Sequence, residues 1–240
     1  MKKIILLSAL IFSFSLYAQN IEGSWRLISE NGKEITDAEV IRIYEANYFA
    51  ESAKKPENNE FLWARGGEFS LNDYKEKTDF NTKEPETVGK DLSPKLAFPE
   101  KGKLKISYAN KDQVWERISS EDNDLTGNWV ITGRKRNGKI DMMTPGDRRT
   151  VKILGGGRFQ WIAFNSATKE FFGSGGGTYS ANNGKYIENI EVFSRDKSRA
   201  GASLDFDYEI RDGNWHHSGK SSKGDPIYEI WSPYKKAYKK

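Results

Sequence analysis

Cysteine is absent from the 240 residues. Disulfides, thiolate metal sites, cysteine nucleophiles and a lipidated N-terminal cysteine are therefore excluded. Histidine is nearly absent too, occurring only as the adjacent pair His216-His217. An excess of charge of one sign is also missing. Lys plus Arg is 38 and Asp plus Glu is 34, a net +4 that falls to +2 without Lys2 and Lys3. A balance that small gives no ground for nucleic-acid binding. Beyond the first 17 residues no apolar run approaches the length of about 20 that a membrane-spanning helix needs, and no long amphipathic helical stripe occurs. What is present is 13% aromatic residues, more than a disordered chain carries.

The N-terminus reads as an export signal. Met1-Lys2-Lys3 is a short basic region, Ile4 to Tyr17 is almost wholly apolar, and Ala18 precedes the polar pair Gln19-Asn20. This is the pattern of a secretory signal peptide spanning 1–18 and cut after Ala18. The mature chain is expected to be soluble, in the periplasm or outside the cell. Without cysteine it must rely on its core for stability.

The remainder repeats itself. Ile21-Glu22-Gly23-Ser24-Trp25 recurs as Leu125-Thr126-Gly127-Asn128-Trp129, and Asn31-Gly32-Lys33 as Asn137-Gly138-Lys139. Gly66-Gly67-Glu68-Phe69-Ser70 recurs as Gly176-Gly177-Thr178-Tyr179-Ser180. Val114-Trp115-Glu116-Arg117-Ile118 aligns with Ile227-Tyr228-Glu229-Ile230-Trp231, making Glu116 and Glu229 equivalent. Matches in the same order define two homologous units, 21–119 and 125–234. Ser119 to Asp124 is a polar, acidic join, and 235–240 is a basic tail. The first unit is the divergent copy, with Glu57 to Pro99 as a long polar insertion.

Both units read as antiparallel sheet. Leu204, Phe206, Tyr208 and Ile210 alternate with acidic residues, and Leu104, Ile106 and Tyr108 with Lys103, Lys105 and Ser107. Period 2 places one apolar and one polar face on a strand. Asn31-Gly32, Asn137-Gly138, Asn183-Gly184 and Asp212-Gly213 are tight hairpin turns. Asp37 to Ala46 has some helical character, but Val40 to Tyr44 matches Val151 to Leu154 and reads as strand. Seven to ten short strands in about 100 residues predict a small barrel or sandwich in each unit.

Gly23-Ser24-Trp25 and Gly127-Asn128-Trp129, each opening an up-and-down β unit, resemble the lipocalin and wider calycin group. Phe159 to Ile162, Gly175 to Tyr179, Lys185 to Glu188, Trp215 to Gly219 and Tyr228 to Trp231 extend the likeness. Together they make the second unit similar to a family of lipocalin-like (calycin-type) bacterial secreted proteins. The resemblance implies an all-β chain of two tandem lipocalin-like antiparallel β-barrels and a small apolar ligand. It also implies structural roles for Trp25 and Trp129, with Arg117 over Trp25 and Ile230 at the matching place in the second unit.

The chemistry-bearing residues point to binding more than to reaction. Arg158, Trp161, Tyr179, Phe206, Tyr208, Trp215 and His216 are the expected ligand-binding set, in unit 2. Gly23, Trp25, Gly127, Trp129, Glu116 and Glu229 are expected to be structural. His216 and His217 face opposite sides of a strand and are badly placed to chelate one metal together, though one could serve alone as a haem ligand or general base; no metal and no cofactor is expected. Gly133-Arg134-Lys135-Arg136-Asn137-Gly138-Lys139 has the spacing of a phosphate loop, but Ile140 stands where a hydroxyl is required. The expected function is binding of a small, largely apolar or aromatic ligand. The alternatives are a cell-envelope or glycan-interaction module with exposed aromatics, or a hydrolase using His216 or Glu188.

Overall fold

The computed structural model describes residues 20–238, and the expected leader at 1–18 lies outside them. The chain forms two antiparallel sheets in sequence order. The first contains β1 (Gly23–Glu30), β2 (Lys33–Glu34), β3 (Glu39–Glu45), β4 (Tyr48–Lys54), β5 (Phe61–Ser70), β6 (Lys75–Asn81), β7 (Asp91–Leu92), β8 (Lys95–Ala97), β9 (Lys103–Tyr108) and β10 (Lys111–Ser119). The second contains β11 (Gly127–Arg136), β12 (Lys139–Met142), β13 (Arg148–Gly155), β14 (Arg158–Asn165), β15 (Glu170–Asn182), β16 (Lys185–Phe193), β17 (Ser203–Arg211), β18 (Asn214–Lys220) and β19 (Pro226–Pro233). A single helical turn, α1 (Tyr234–Ala237), follows.

The second sheet closes. β11 pairs with β13, the strands then follow in order to β19, and β19 returns to β11. The result is a barrel of eight antiparallel strands, with β12 hanging on β11 as an extra hairpin strand. The first sheet runs β7-β6-β5-β4-β3-β1-β10-β9-β8 and stays open between β7 and β8. Ser93 and Pro94 separate these two edges in sequence, so one stretch of chain pairs first with β6 and then with β9. Proline has no amide hydrogen to continue a ladder, which suits the break. Residues 57–99 are therefore not an insertion. They supply β5 to β8.

The turns form where Asn-Gly and Asp-Gly stand. Asn137 and Gly138 have φ of 48° and 80°, and Asn183-Gly184 and Asp212-Gly213 are alike. Positive φ at both central residues matches the twist of the flanking strands. Gly67 and Gly177 carry the same local constraint in the two units. A Cβ at either would lie 1.9 Å from a carbonyl oxygen of the adjacent strand, at Lys77 or Asn189. Each sits beside a bulge that leaves Asp79 or Glu191 as the extra residue.

Strand register corrects two repeat matches. β1 pairs Leu27 with Trp115, and β11 pairs Ile131 with Trp231. Trp115 thus corresponds to Trp231, and Glu229 to Gln113 rather than Glu116. Arg117 lies 4.0 Å above the Trp25 ring, but the place facing Trp129 belongs to Pro233, not Ile230. The Gly-x-Trp and Gly-Gly matches keep register, whereas Asn137-Gly138 lies two residues beyond the place of Asn31-Gly32, on a longer hairpin. Arg42 corresponds to Lys152, Glu76 to Glu188 and Tyr74 to Tyr186.

Three apolar cores result. One fills the inside of each sheet around Trp25 and Trp115 or around Trp129, Trp215 and Trp231. The third lies between the sheets, where Ile43, Tyr48, Ala50 and Phe80 meet Val151, Ile153, Ile162 and Phe164. β3, β4, β13 and β14 are thus covered on both faces, and their sequences lose clean alternation. A buried Arg149–Asp79 ion pair of 2.8 Å crosses this contact. Ser24 Oγ donates to Gly156 O at 2.7 Å, where the chains approach too closely for any side chain at 156.

Candidate functional site

The two interiors begin from the same polar motif and end differently. In the first unit Arg42, fully buried, lies 2.5 Å from Glu76 and 3.5 Å from Glu51. Arg65 reaches the same two carboxylates at 2.5 and 3.3 Å. Tyr74 donates to Glu76 at 2.7 Å and Tyr108 at 3.0 Å. Burial would raise the Glu76 carboxyl, but the two guanidiniums outweigh it and hold the group below its ordinary range. This network fills the sheet and leaves a depression of about 230 Å³ at its mouth.

In the second unit the corresponding pair is Lys152 and Glu188, 2.7 Å apart, and Tyr186 donates to the same Glu188 oxygen at 2.7 Å. The lysine sits 5.1 to 5.4 Å from the Trp231, Trp215 and Tyr186 rings, a cation–π setting. The residues that fill the first unit are gone. Register places Gly175 where Arg65 stands and Gly219 where Tyr108 stands. Two large polar side chains are replaced by hydrogens, and the Trp161 ring packs against Gly175. The barrel is consequently hollow, with a cavity of about 760 Å³.

The cavity opens at one barrel end, formed by the ends of β11, β14, β16 and β18 and the starts of β13, β15, β17 and β19. Its wall is apolar: Trp161, Ile190, Phe193, Leu204, Phe206 and Ile227. Its floor is polar: Lys152, Glu188, His217 and Glu229, with Trp231. Its rim is basic: Arg134, Arg148, Arg195, Arg199 and Lys223. Beneath the floor, Trp129, Trp215, Tyr179 and Tyr186 plug the opposite end.

His217 is the distinctive floor residue. It is 2% exposed, and neither ring nitrogen has a hydrogen-bond partner in the protein. Nδ1 stands 3.6 Å from Glu229 Oε2, just beyond hydrogen-bond reach. Glu229 is engaged elsewhere, accepting from Trp231 Nε1 at 3.1 Å and facing Arg134 at 3.2 Å. Burial pushes the imidazole pKa down, Lys152 adds to this, and Glu229 opposes it. A neutral imidazole offers one donor and one acceptor, and here both are buried and unpaired at the cavity floor. Among the described residues no group of three His, Asp or Glu side chains converges as metal ligands.

Of the residues expected to bind ligand, Trp161 and Phe206 line the cavity. Trp215 and Tyr179 belong to the plug below it, Tyr179 facing Thr126 at 3.3 Å. Tyr208 lies toward the closed end and donates to Asp124. Arg158 points outward and pairs with Glu191 at 2.5 Å. His216 is on the outer wall, 2.8 Å from the Tyr228 hydroxyl. Among the residues expected to be structural, Glu116 is a surface partner of Lys103, whereas Glu229 lines the cavity. Trp25 and Trp129 both donate from Nε1 to a backbone carbonyl four residues earlier, at Ile21 and Leu125.

The sequence signal for the overlooked residues was parity. With Trp215 inward, period 2 puts His217 inward and His216 outward, and Trp161 inward puts Arg158 outward. No family model matches the chain, and no curated protein is similar to it in sequence.

Proposed function

We propose that the second unit is a lipocalin-like binding module, acting after export, that takes a small, largely apolar molecule end-on into the barrel. The observation that carries this reading is the hollow interior: about 760 Å³, within the range of small-molecule sites, with an apolar wall above an unpartnered buried His217. The wall alone is not enough for tight binding. Burying ten methylenes yields about 8 kcal/mol, and association removes at least about 4, which leaves roughly millimolar affinity. Contact with the His217 ring fixes orientation and adds about three- to tenfold in affinity. The first unit, filled by its Arg42–Glu76 network, acts as the rigid flank. A sugar-stacking role has little to work with, because no aromatic side chain among the described residues is exposed.

The test is titration with a dansyl-labelled fatty acid. Wild type should give saturable, one-to-one emission enhancement, and Ala163→Trp, at a lining position near the end of β14, should abolish it while the far-UV spectrum is kept. Equal binding by both proteins overturns the reading.

The placing of Glu229 behind His217 Nδ1, at the cavity floor, also favours a second reading, in which His217 is a general base. Hydrolysis of p-nitrophenyl esters that is saturable in wild type and lost in His217→Gln would support that reading over simple binding.

A further inference from the structure

The basic charge of this protein is gathered at the open end of the barrel. The four segments that build the mouth, 134–148, 166–170, 194–202 and 220–225, contain eleven Lys or Arg against five Asp or Glu. The described residues as a whole are balanced. Four of the 38 basic residues (Lys2, Lys3, Lys239 and Lys240) lie outside them, and all 34 acidic ones lie within. Ion pairing does not remove the excess. Arg134 and Arg199 face Glu229 and Asp196, but Lys135, Arg136, Lys139, Arg148, Arg195 and Lys223 have no carboxylate within ion-pair distance among the described residues.

The hairpin of β11 and β12 projects from the same end. β12 pairs with β11 alone. Ile140 and Met142 on it are 50% and 65% exposed, two of the six large apolar side chains in that state. Register puts Ile140 opposite Lys135 and Met142 opposite Gly133, so the two apolar tips share a face flanked by Lys135, with Arg136 and Lys139 at the turn. Exposed aliphatic tips set among cations, beside the opening of an apolar cavity, are the chemistry of a peripheral lipid-binding surface.

We propose that the open end of the barrel docks on an anionic phospholipid surface. Ile140 and Met142 enter the headgroup region, Lys135, Arg136 and Lys139 contact phosphates, and the cavity takes its ligand from that surface. This rests on the proposed binding function for its last step only. It also gives the ligand a chemical class, an acidic amphiphile whose apolar part enters the cavity and whose acid group stays at the basic rim.

The experiment is co-sedimentation with vesicles of phosphatidylcholine alone or with one third phosphatidylglycerol, at about 0.05 M and about 0.5 M salt. Wild type should partition to the anionic vesicles at low salt, and weakly at high salt or to neutral ones. Each basic residue near such a surface is worth about fivefold. Lys135→Glu, Arg136→Glu and Lys139→Glu together should therefore lower partitioning at least about a hundredfold. Ile140→Ser with Met142→Ser should lower it several-fold. Both variants should bind the dansyl fatty acid in solution as wild type does. Equal partitioning to neutral and anionic vesicles, an unchanged charge-reversed variant, or retention by a soluble sulfated polysaccharide with none by vesicles overturns the proposal. Loss of solution binding with vesicle docking intact would count against the cavity reading alone.

Discussion

Replacing His217 by Phe should make the free protein more stable and the binding site worse. The imidazole is 2% exposed with both nitrogens unpartnered in the protein. A buried polar group in that state costs about 1–3 kcal/mol, and an apolar ring of similar shape removes the cost. The cavity above gives the larger ring room, so overpacking is small. A gain of about 1 kcal/mol at pH 7.5 is expected, the low end because the mouth admits solvent. The gain should grow on acidification. The folded His217 pKa is depressed, so from an unfolded value of about 6.5 downward the unfolded chain binds the proton more readily. Wild type therefore loses stability as pH falls from about 6.5 toward the depressed value, and the variant does not. Ligand affinity should drop three- to tenfold, the worth of one neutral hydrogen bond at about 0.5–1.5 kcal/mol. Urea midpoints at pH 7.5 and pH 5, with the dansyl fatty acid titration, measure all three. A variant destabilised by several kcal/mol with unchanged affinity would refute the assignment of His217 as a ligand-facing group.

Lys152→Met should lower stability by about 3–5 kcal/mol, because it strands Glu188 in the barrel floor, while Lys152→Met with Glu188→Leu should recover most of that loss; urea denaturation of the single and double variants checks it. Glu45→Gln should act in the opposite pH sense to His217. Burial, then Glu22 and Asp122, raise the Glu45 carboxyl to about 7, so its contribution is full below about 4.5 and is lost as pH rises through about 7. With screening at this half-buried place allowed for, Glu45→Gln should gain about 1 kcal/mol at pH 8, about 2–4 °C in Tm, and nothing at pH 5. A thermal scan at both pH values decides it.

Local pattern carried far in this chain. Asn-Gly and Asp-Gly turns, the alternation at 204–210 and the Gly-x-Trp openings each act through nearest neighbours, and each appears in the fold as its chemistry requires. The match of Gly66-Gly67 to Gly176-Gly177 holds for the same reason, since both glycines relieve the same bulge. The alignment of Glu116 with Glu229 fails because three residues of offset reverse the face of a strand. Two acidic residues beside aromatics look alike in sequence but end as a surface partner of Lys103 and a floor group of the cavity.

By itself the sequence determined a doubled, antiparallel β chain, because side-chain alternation, turn chemistry and repetition are properties of short stretches. Whether a copy is hollow was decided only when distant strands met across the barrel. Arg65 and Tyr108 converge with Glu76 from three separate strands to fill one unit, and the glycines at 175 and 219 leave that space open in the other. The covering of β3, β4, β13 and β14 by the neighbouring unit is likewise a fact of packing. The basic mouth is one as well: its charges lie on four segments spread over about ninety residues, and they become one surface only when the sheet closes.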